Sequence, residues 1–227
     1  MRGTGSLGVV IERAAGSVLV VDTESRAALA RIDGLGDLSH ASLVYSADQR
    51  HAYVFGRDGG LTKIDLLSAT IVRRVIQAGN AIGGAISDDG KLVAVSNYEP
   101  GGVRVFDATT LDMVADIPAT GANGKSSKTV GLVDLPGRRF AYTLYDAGEI
   151  WIADFSAGLA PAITKLTGIG KLPYDGNVTP DGRHYLAGLF GEDGVVHVDM
   201  WQEPLKAVRI LDGYGRGEQK LPVYKMP

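Results

Sequence analysis

The strongest constraint on this chain is a repeat. Five segments of apolar alternation end in an aspartate: Val18-Leu-Val-Val-Asp22, Leu61-Thr-Lys-Ile-Asp65, Val103-Arg-Val-Phe-Asp107, Ile150-Trp-Ile-Ala-Asp154 and Val195-Val-His-Val-Asp199. Successive aspartates are 43, 42, 47 and 45 residues apart. Between them recurs a tight-turn sequence: Ser46-Ala-Asp-Gln-Arg50, Ser87-Asp-Asp-Gly-Lys91, Asp134-Leu-Pro-Gly-Arg138 and Thr179-Pro-Asp-Gly-Arg183. Each turn joins two short apolar runs, as Ala85-Ile86 before and Leu92-Val-Ala-Val95 after the second of them. A period in the forties, made of four short strands, is the signature of a β-propeller blade.

One blade is too thin to bury a core of its own. Alternating apolar residues give it two apolar sides, one for each neighbouring blade. The expected fold is therefore all-β, a single propeller domain over residues 1–227, with strands lettered A to D from the axis outward. In the second blade A falls near Ala41 to Tyr45, B at His51 to Phe55, C at Leu61 to Ile64 and D at about Ile71 to Gln77. Helix is disfavoured, because β-branched runs of four or five are punctuated by glycine. The chain opens at strand B (Leu7 to Ile11), so the first blade lacks its inner strand, and four complete blades follow. The closing segment Leu221-Pro-Val-Tyr-Lys-Met-Pro227 either supplies the missing inner strand and closes a five-bladed ring, or begins a sixth blade. The glycines Gly3-Thr-Gly5-Ser-Leu-Gly8 match G-x-G-x-x-G. A dinucleotide site needs a strand before that motif and a helix after it, whereas only two residues precede this one and Val9-Val10-Ile11 follows.

Composition narrows the function. The chain's 227 residues, 45% of them hydrophobic, are ample for a buried core. With 23 basic against 26 acidic side chains the net charge is −3, and no stretch interleaves cations with stacking aromatics, so nucleic acid is excluded as a partner. The absence of cysteine removes disulfides, thiolate zinc sites, iron–sulfur clusters, a catalytic thiol and C-x-x-C-H haem attachment. No apolar run approaches the ~18 residues of a membrane span. No charged and apolar leader opens the sequence, which thus reads as cytoplasmic or as separated from its export signal.

Propeller geometry sorts the loops. Turns from A to B and from C to D emerge on one face and carry only turn chemistry, such as Asp-Gly-Lys and Asp-Gly-Arg. Loops from B to C and from D to the next A emerge on the other face and are long, polar and aromatic. They include Arg13, Asp37 to His40, Arg57-Asp58, Asn80, Asn97-Tyr98-Glu99, Lys125 to Lys128, Tyr145-Asp146, Lys171 to Asp175, Glu192-Asp193 and Tyr214 to Arg216. Binding sites belong on such loops over a rigid scaffold. Tyr98, Tyr145 and Tyr174 offer flat apolar walls, while Arg13, Arg57, Lys128 and Arg216 offer fixed charge. Asn97 offers an amide, and His40 an imidazole beside the axis. A large planar polycarboxylate would use all of them. His51, His184 and His197 fall within B or C strands of different blades without metal-ligand spacing, and read as packed or surface imidazoles.

The run Asn97-Tyr-Glu-Pro-Gly-Gly-Val-Arg-Val-Phe-Asp-Ala-Thr-Thr-Leu111 resembles the generic repeat of YVTN and lactonase-like propellers. A more specific likeness lies in Leu38-Ser-His40-Ala-Ser, Tyr53-Val-Phe-Gly-Arg57-Asp-Gly-Gly-Leu-Thr-Lys-Ile-Asp65 and Arg13-Ala-Ala-Gly-Ser-Val-Leu-Val-Val-Asp22. Together they resemble the haem d1 domain of cytochrome cd1 nitrite reductase. Gly34-Leu-Gly-Asp-Leu-Ser-His-Ala-Ser42, Gly83-Gly-Ala-Ile-Ser87, Val95-Ser-Asn-Tyr-Glu-Pro-Gly-Gly102, Phe190-Gly-Glu-Asp-Gly194 and Leu211-Asp-Gly-Tyr-Gly-Arg-Gly217 resemble the assembly proteins of haem d1 biosynthesis within that family.

The resemblance implies an eight-bladed periplasmic propeller, of which this chain holds about five blades, and haem d1 or a tetrapyrrole precursor as ligand or substrate. His40 falls where the family has its proximal haem ligand and Arg13 where it has an arginine near the haem carboxylates. Tyr174-Asp-Gly replaces a catalytic histidine before Asp-Gly, and the missing cysteines exclude the electron-entry haem. Nitrite reduction is therefore not expected. What is expected is binding, and possible modification, of a d1-type tetrapyrrole for the nitrite reductase of denitrification. His40 serves there as iron ligand or proton carrier, and other maturation proteins or the reductase itself are partners. Two other readings stay open: a lactonase or glycosidase-like hydrolase using carboxylates among Asp37, Asp58, Glu99 and Asp146, and a non-catalytic interaction scaffold.

Overall fold

The computed structural model describes residues 5–212, and every regular element among them is a strand. Nineteen strands form five antiparallel sheets. Blade 1 holds β1 (Leu7–Glu12), β2 (Ser17–Asp22) and β3 (Ala27–Ile32); blade 2 holds β4 (Ser42–Tyr45), β5 (His51–Phe55), β6 (Gly60–Asp65) and β7 (Thr70–Ile76). Blade 3 comprises β8 (Asn80–Ile86), β9 (Leu92–Glu99), β10 (Val103–Asp107) and β11 (Met113–Ile117). Blade 4 comprises β12 (Thr129–Leu135), β13 (Arg139–Leu144), β14 (Glu149–Asp154) and β15 (Ala162–Leu166). Blade 5 comprises β16 (Pro173–Val178), β17 (His184–Leu189), β18 (Gly194–Asp199) and β19 (Ala207–Asp212). Strand order within each sheet follows the chain, and the four-stranded sheets are propeller blades. Gly8 lies inside β1, so the glycine motif opens a strand and not a helix. The segment from Leu221 to Pro227 lies outside the described residues.

The repeated aspartates are turn formers. Asp22, Asp65 and Asp107 each end strand C and accept backbone N–H bonds from the residues two and three positions on, as Asp65 does from Leu67 and Ser68. Asp154 and Asp199 accept one such bond each, from Ser156 and Trp201. The A-to-B turns have an equally local logic. Ser46, Ser87 and Thr179 donate their hydroxyls to Asp48, Asp89 and Asp181, which accept the N–H groups of Arg50, Lys91 and Arg183. In blades 2 and 5 the turn arginine also pairs with the aspartate ending strand C: Arg50 with Asp65 at 2.7 Å and Arg183 with Asp199 at 2.8 Å.

The core lies between blades. Val54 and Ile64 of blade 2 pack on Val18 and Val20 of blade 1, while Tyr53, Phe55 and Leu61 face Ala81, Val93 and Val95 of blade 3. Blades 3 and 4 share Val105, Phe140, Tyr142 and Trp151; blades 4 and 5 share Ile150, Ile152, Tyr185 and Val196. The inner strands pack in succession, β4 on β8, β8 on β12 and β12 on β16.

Candidate functional site

The loops from B to C and from D to A are stitched together by backbone hydrogen bonds. The N–H of Leu35 donates to Gly16 O, that of Arg57 to Asp37 O, that of Tyr145 to Lys128 O and that of Phe190 to Leu172 O. The loop before β4 shows how a candidate side chain is presented. Leu35 and Leu38 are each 1% exposed and anchor it. Asp37 accepts the Ser39 N–H at 2.8 Å, and that bond, with help from the Ser39 hydroxyl, holds its carboxyl below the usual range. His40 then stands in the turn, exposed to solvent, immediately before the inner strand of blade 2.

Four blades contribute to an aromatic and cationic cluster on this face. The Arg57 guanidinium lies 4.9 Å from the centre of the Tyr98 ring. The Tyr98 and Tyr174 hydroxyls are hydrogen-bonded to each other, linking blade 3 to blade 5. Tyr145 meets Tyr174 edge to face at 5.7 Å, and Phe190 adds a third ring at 5.4 Å from Tyr174 and 6.3 Å from Tyr145. Lys128 Nζ stands 5.6 Å from the Tyr145 ring centre and 3.8 Å from Asp146. The tyrosines thus form one continuous shelf in place of separate walls, since half-buried rings bury apolar area against one another. Burial, reinforced by the Tyr174 hydroxyl, pushes the Tyr98 phenol well above its ordinary ionisation range. It stays protonated at neutral pH. Beside the shelf a cleft of about 300 Å³ is lined by Asp146, Ala147, Gly148, Gly170, Lys171, Leu172 and Gly191. That volume is at the small end for a ligand site and suits a substituent more than a macrocycle.

Of the residues singled out from the sequence, Arg57, Tyr98, Lys128, Tyr145 and Tyr174 are brought together. Arg13 and His40 are exposed on loops of the same face, outside that contact set. Asn97 is set apart: it is 1% exposed and exchanges two amide hydrogen bonds with Gln77, at 2.8 and 3.2 Å. Arg216 lies outside the described residues. Phe190 was missed, although it opens the Phe190-Gly-Glu-Asp-Gly194 run. Ser42, Asn80 and Arg57 each carry a buried polar atom with no hydrogen-bond partner among the described residues. Among the described residues no group of three or more His, Cys, Asp or Glu side chains is placed to hold a metal ion. His184 and His197 are hydrogen-bonded to each other through ring nitrogens 2.9 Å apart.

Three of the four carboxylates considered for hydrolysis are used structurally, and Glu99, at the end of β9, is exposed. Asp58 pairs with Arg74 at 2.6 Å, Asp146 accepts the Lys128 N–H, and Asp37 caps its own turn. What the face does offer is apolar surface for a planar ring, fixed charge for acidic groups, and one open imidazole.

The cytochrome D1 heme domain family matches residues 2–227. Over its whole length the chain is 64% identical to Protein NirF of Stutzerimonas stutzeri and 63% identical to Protein NirF of Pseudomonas aeruginosa. It spans 59% and 58% of the length of those two proteins. Among solved structures, dihydro-heme d1 dehydrogenase NirN in complex with DHE superposes with a TM-score of 0.82 at 28% identity. That match covers 93% of this chain and 44% of NirN. No helix among the described residues is long and apolar enough to cross a membrane.

Proposed function

The chain belongs to the cytochrome d1 haem domain family, and on that footing we propose that it binds haem d1 or a tetrapyrrole precursor and takes part in haem d1 biosynthesis for dissimilatory nitrite reductase. The observation that carries this reading is the gathering of Arg57, Tyr98, Lys128, Tyr145 and Tyr174 from four blades, with the open imidazole of His40 on the same face. These residues suit the group. Tyr145, Tyr174 and Phe190 give a planar macrocycle apolar area, and Arg57 and Lys128 give its acidic edge fixed positive charge. Bound there, the macrocycle supplies iron and a conjugated ring for redox chemistry.

The chain's own residues do the rest. His40, with no hydrogen-bond partner among the described residues, offers a ring nitrogen to iron or to a proton. Tyr98, protonated and hydrogen-bonded to the Tyr174 hydroxyl, offers a hydrogen bond but no phenolate. Tyr174 stands where the family's reductase has a histidine, which with the absent cysteines argues for maturation of the cofactor and against nitrite reduction. We read residues 1–227 as one propeller domain acting in the periplasm, with other haem d1 maturation proteins or the nitrite reductase as partners.

Adding haem d1 to the purified protein and recording its visible spectrum tests the proposal. A shifted absorption band is expected, and His40→Ala changes it. An unshifted spectrum for the wild type overturns tetrapyrrole binding. A shift that His40→Ala leaves untouched removes His40 as the ligand.

A further inference from the structure

Blade 5 carries a pair of imidazoles that the loop face does not use. His184 begins β17 and pairs across the ladder with Asp199, while His197 on β18 pairs with Leu186, so the two histidines are diagonal neighbours on one side of the sheet. Tyr185, Ala187, Val196 and Val198, which alternate with them, pack toward blade 4. The histidines therefore project from the opposite flank. Both are half-buried there, and Val208, the β19 partner of His197, is 52% exposed.

The same two ladder positions are filled differently in the other four-stranded blades. They hold His51 and Lys63 in blade 2, Leu92 and Val105 in blade 3, and Arg139 and Ile152 in blade 4. In blade 2 the Lys63 ammonium donates to the carbonyl oxygens of Ala108 and Thr109 at 2.9 and 3.0 Å. In blade 5 the two rings meet instead: Nδ1 of His184 and Nε2 of His197 are 2.9 Å apart, one donating and the other accepting. The accepting ring must be a neutral imidazole, which is the form that binds a metal ion. Metal–imidazole bonds are about 2.0–2.1 Å long, so two such nitrogens at adjacent corners of a square lie ~2.9 Å apart, against about 3.3–3.4 Å at two corners of a tetrahedron. The observed spacing is that of the square. Asp181 and Asp199 are both close enough for His184 to act on them electrostatically, and they add a field that favours a cation. Neither is a ligand, because Asp181 holds its own turn and Asp199 is paired with Arg183 at 2.8 Å.

We infer that His184 and His197 form a two-imidazole chelate for a divalent d-block cation of square or octahedral preference, with Cu2+ the strongest binder. The hydrogen between the rings moves to the far nitrogen of the imidazole that held it. His184 Nδ1 and His197 Nε2 then each give a lone pair to the cation, and water fills the remaining positions on the open flank. The bound ion bridges β17 and β18. This site is separate from the loop face and does not rest on the tetrapyrrole reading.

The test is a calorimetric titration of the full chain with Cu2+, without tetrapyrrole and in a non-coordinating buffer, together with electron paramagnetic resonance of the bound ion. Wild type is expected to bind Cu2+ with hyperfine structure from two imidazole nitrogens. His184→Gln and His197→Gln are each expected to weaken that binding about tenfold or more, as loss of a ligand must when loss of a ligand's own support costs as much. His51→Gln, at the equivalent position of blade 2, leaves affinity and spectrum unchanged. Circular dichroism and the melting temperature establish that each variant is folded. Absence of binding by wild type, a loss well short of tenfold in either glutamine variant of blade 5, or a spectrum without two imidazole nitrogens overturns the chelate.

Discussion

Gly176→Ala probes the packing that holds the aromatic shelf. Gly176 lies on β16 just after the register shift between Pro173 and Gly176, the stretch that carries Tyr174. A methyl group there would meet Tyr185 Oη at 2.1 Å, its Cζ at 2.6 Å and Gly131 O at 2.7 Å. None of these yields easily. The Tyr185 ring is fully buried and its hydroxyl donates to Gly131 O at 3.1 Å; Gly131 has φ +59, and its own added Cβ would lie 2.6 Å from Tyr174 O. Gly176 is not among the positive-φ glycines, so alanine meets no backbone penalty and the variant reports overpacking alone. Overpacking of this kind costs about 1–3 kcal/mol. In a chain of this size that corresponds to a fall of roughly 2–12 °C in melting temperature. The assay is thermal denaturation followed by circular dichroism, repeated in a Tyr185→Leu background, where the shorter side chain makes room. There the alanine is expected to cost at least ~1 kcal/mol less, a coupling diagnostic of direct contact. Melting within a degree of wild type, or strict additivity in the double variant, would refute the argument.

Two further predictions concern stability. Tyr142 is fully buried between blades 3 and 4 and its hydroxyl has no partner among the described residues, so Tyr142→Phe should be neutral or stabilising by up to about 1–2 kcal/mol in equilibrium unfolding; a clear loss would mean that the hydroxyl is bonded. The turn carboxylates are held below their ordinary value, Asp199 at about 2 by the Arg183 guanidinium, Asp48 by the Ser46 hydroxyl and Asp181 by the Thr179 hydroxyl. Their contribution is complete above the unfolded value of 3.8 and is lost as pH falls through the folded one. Melting temperature should therefore drop between pH 4 and pH 2, and Arg183→Gln should flatten that drop; an unaltered slope in the variant would count against the pair.

Much of the fold was legible because its signals are local. Apolar alternation places strands, and the 42-to-47-residue spacing of the terminal aspartates counts blades, since each aspartate acts on an N–H two residues on and three of them also on the next. The blade 2 strands fall within a residue or two of their expected positions. The loop face was legible too, because chain reversal at every strand fixes which loops share a side. Asn97 shows where this ends. It reads as a loop amide, yet it lies inside β9 and pairs with Gln77, a residue whose approach depends on how the loop after β7 folds back. Phe190 joins the shelf only because blade 5 turns it toward Tyr145 and Tyr174.

The amino-acid order by itself determined an all-β chain of repeated blades, the chemistry of its turns, and the set of side chains assigned to one face. These depend on interactions closed within a few residues. Only the tertiary structure decided which of those side chains meet: that Tyr98 bonds to Tyr174 across an intervening blade, and that Asp58 goes to Arg74 while Arg57 lies over the Tyr98 ring. Partners 16 to 76 residues apart are chosen by how the blades pack, and no local pattern records that packing.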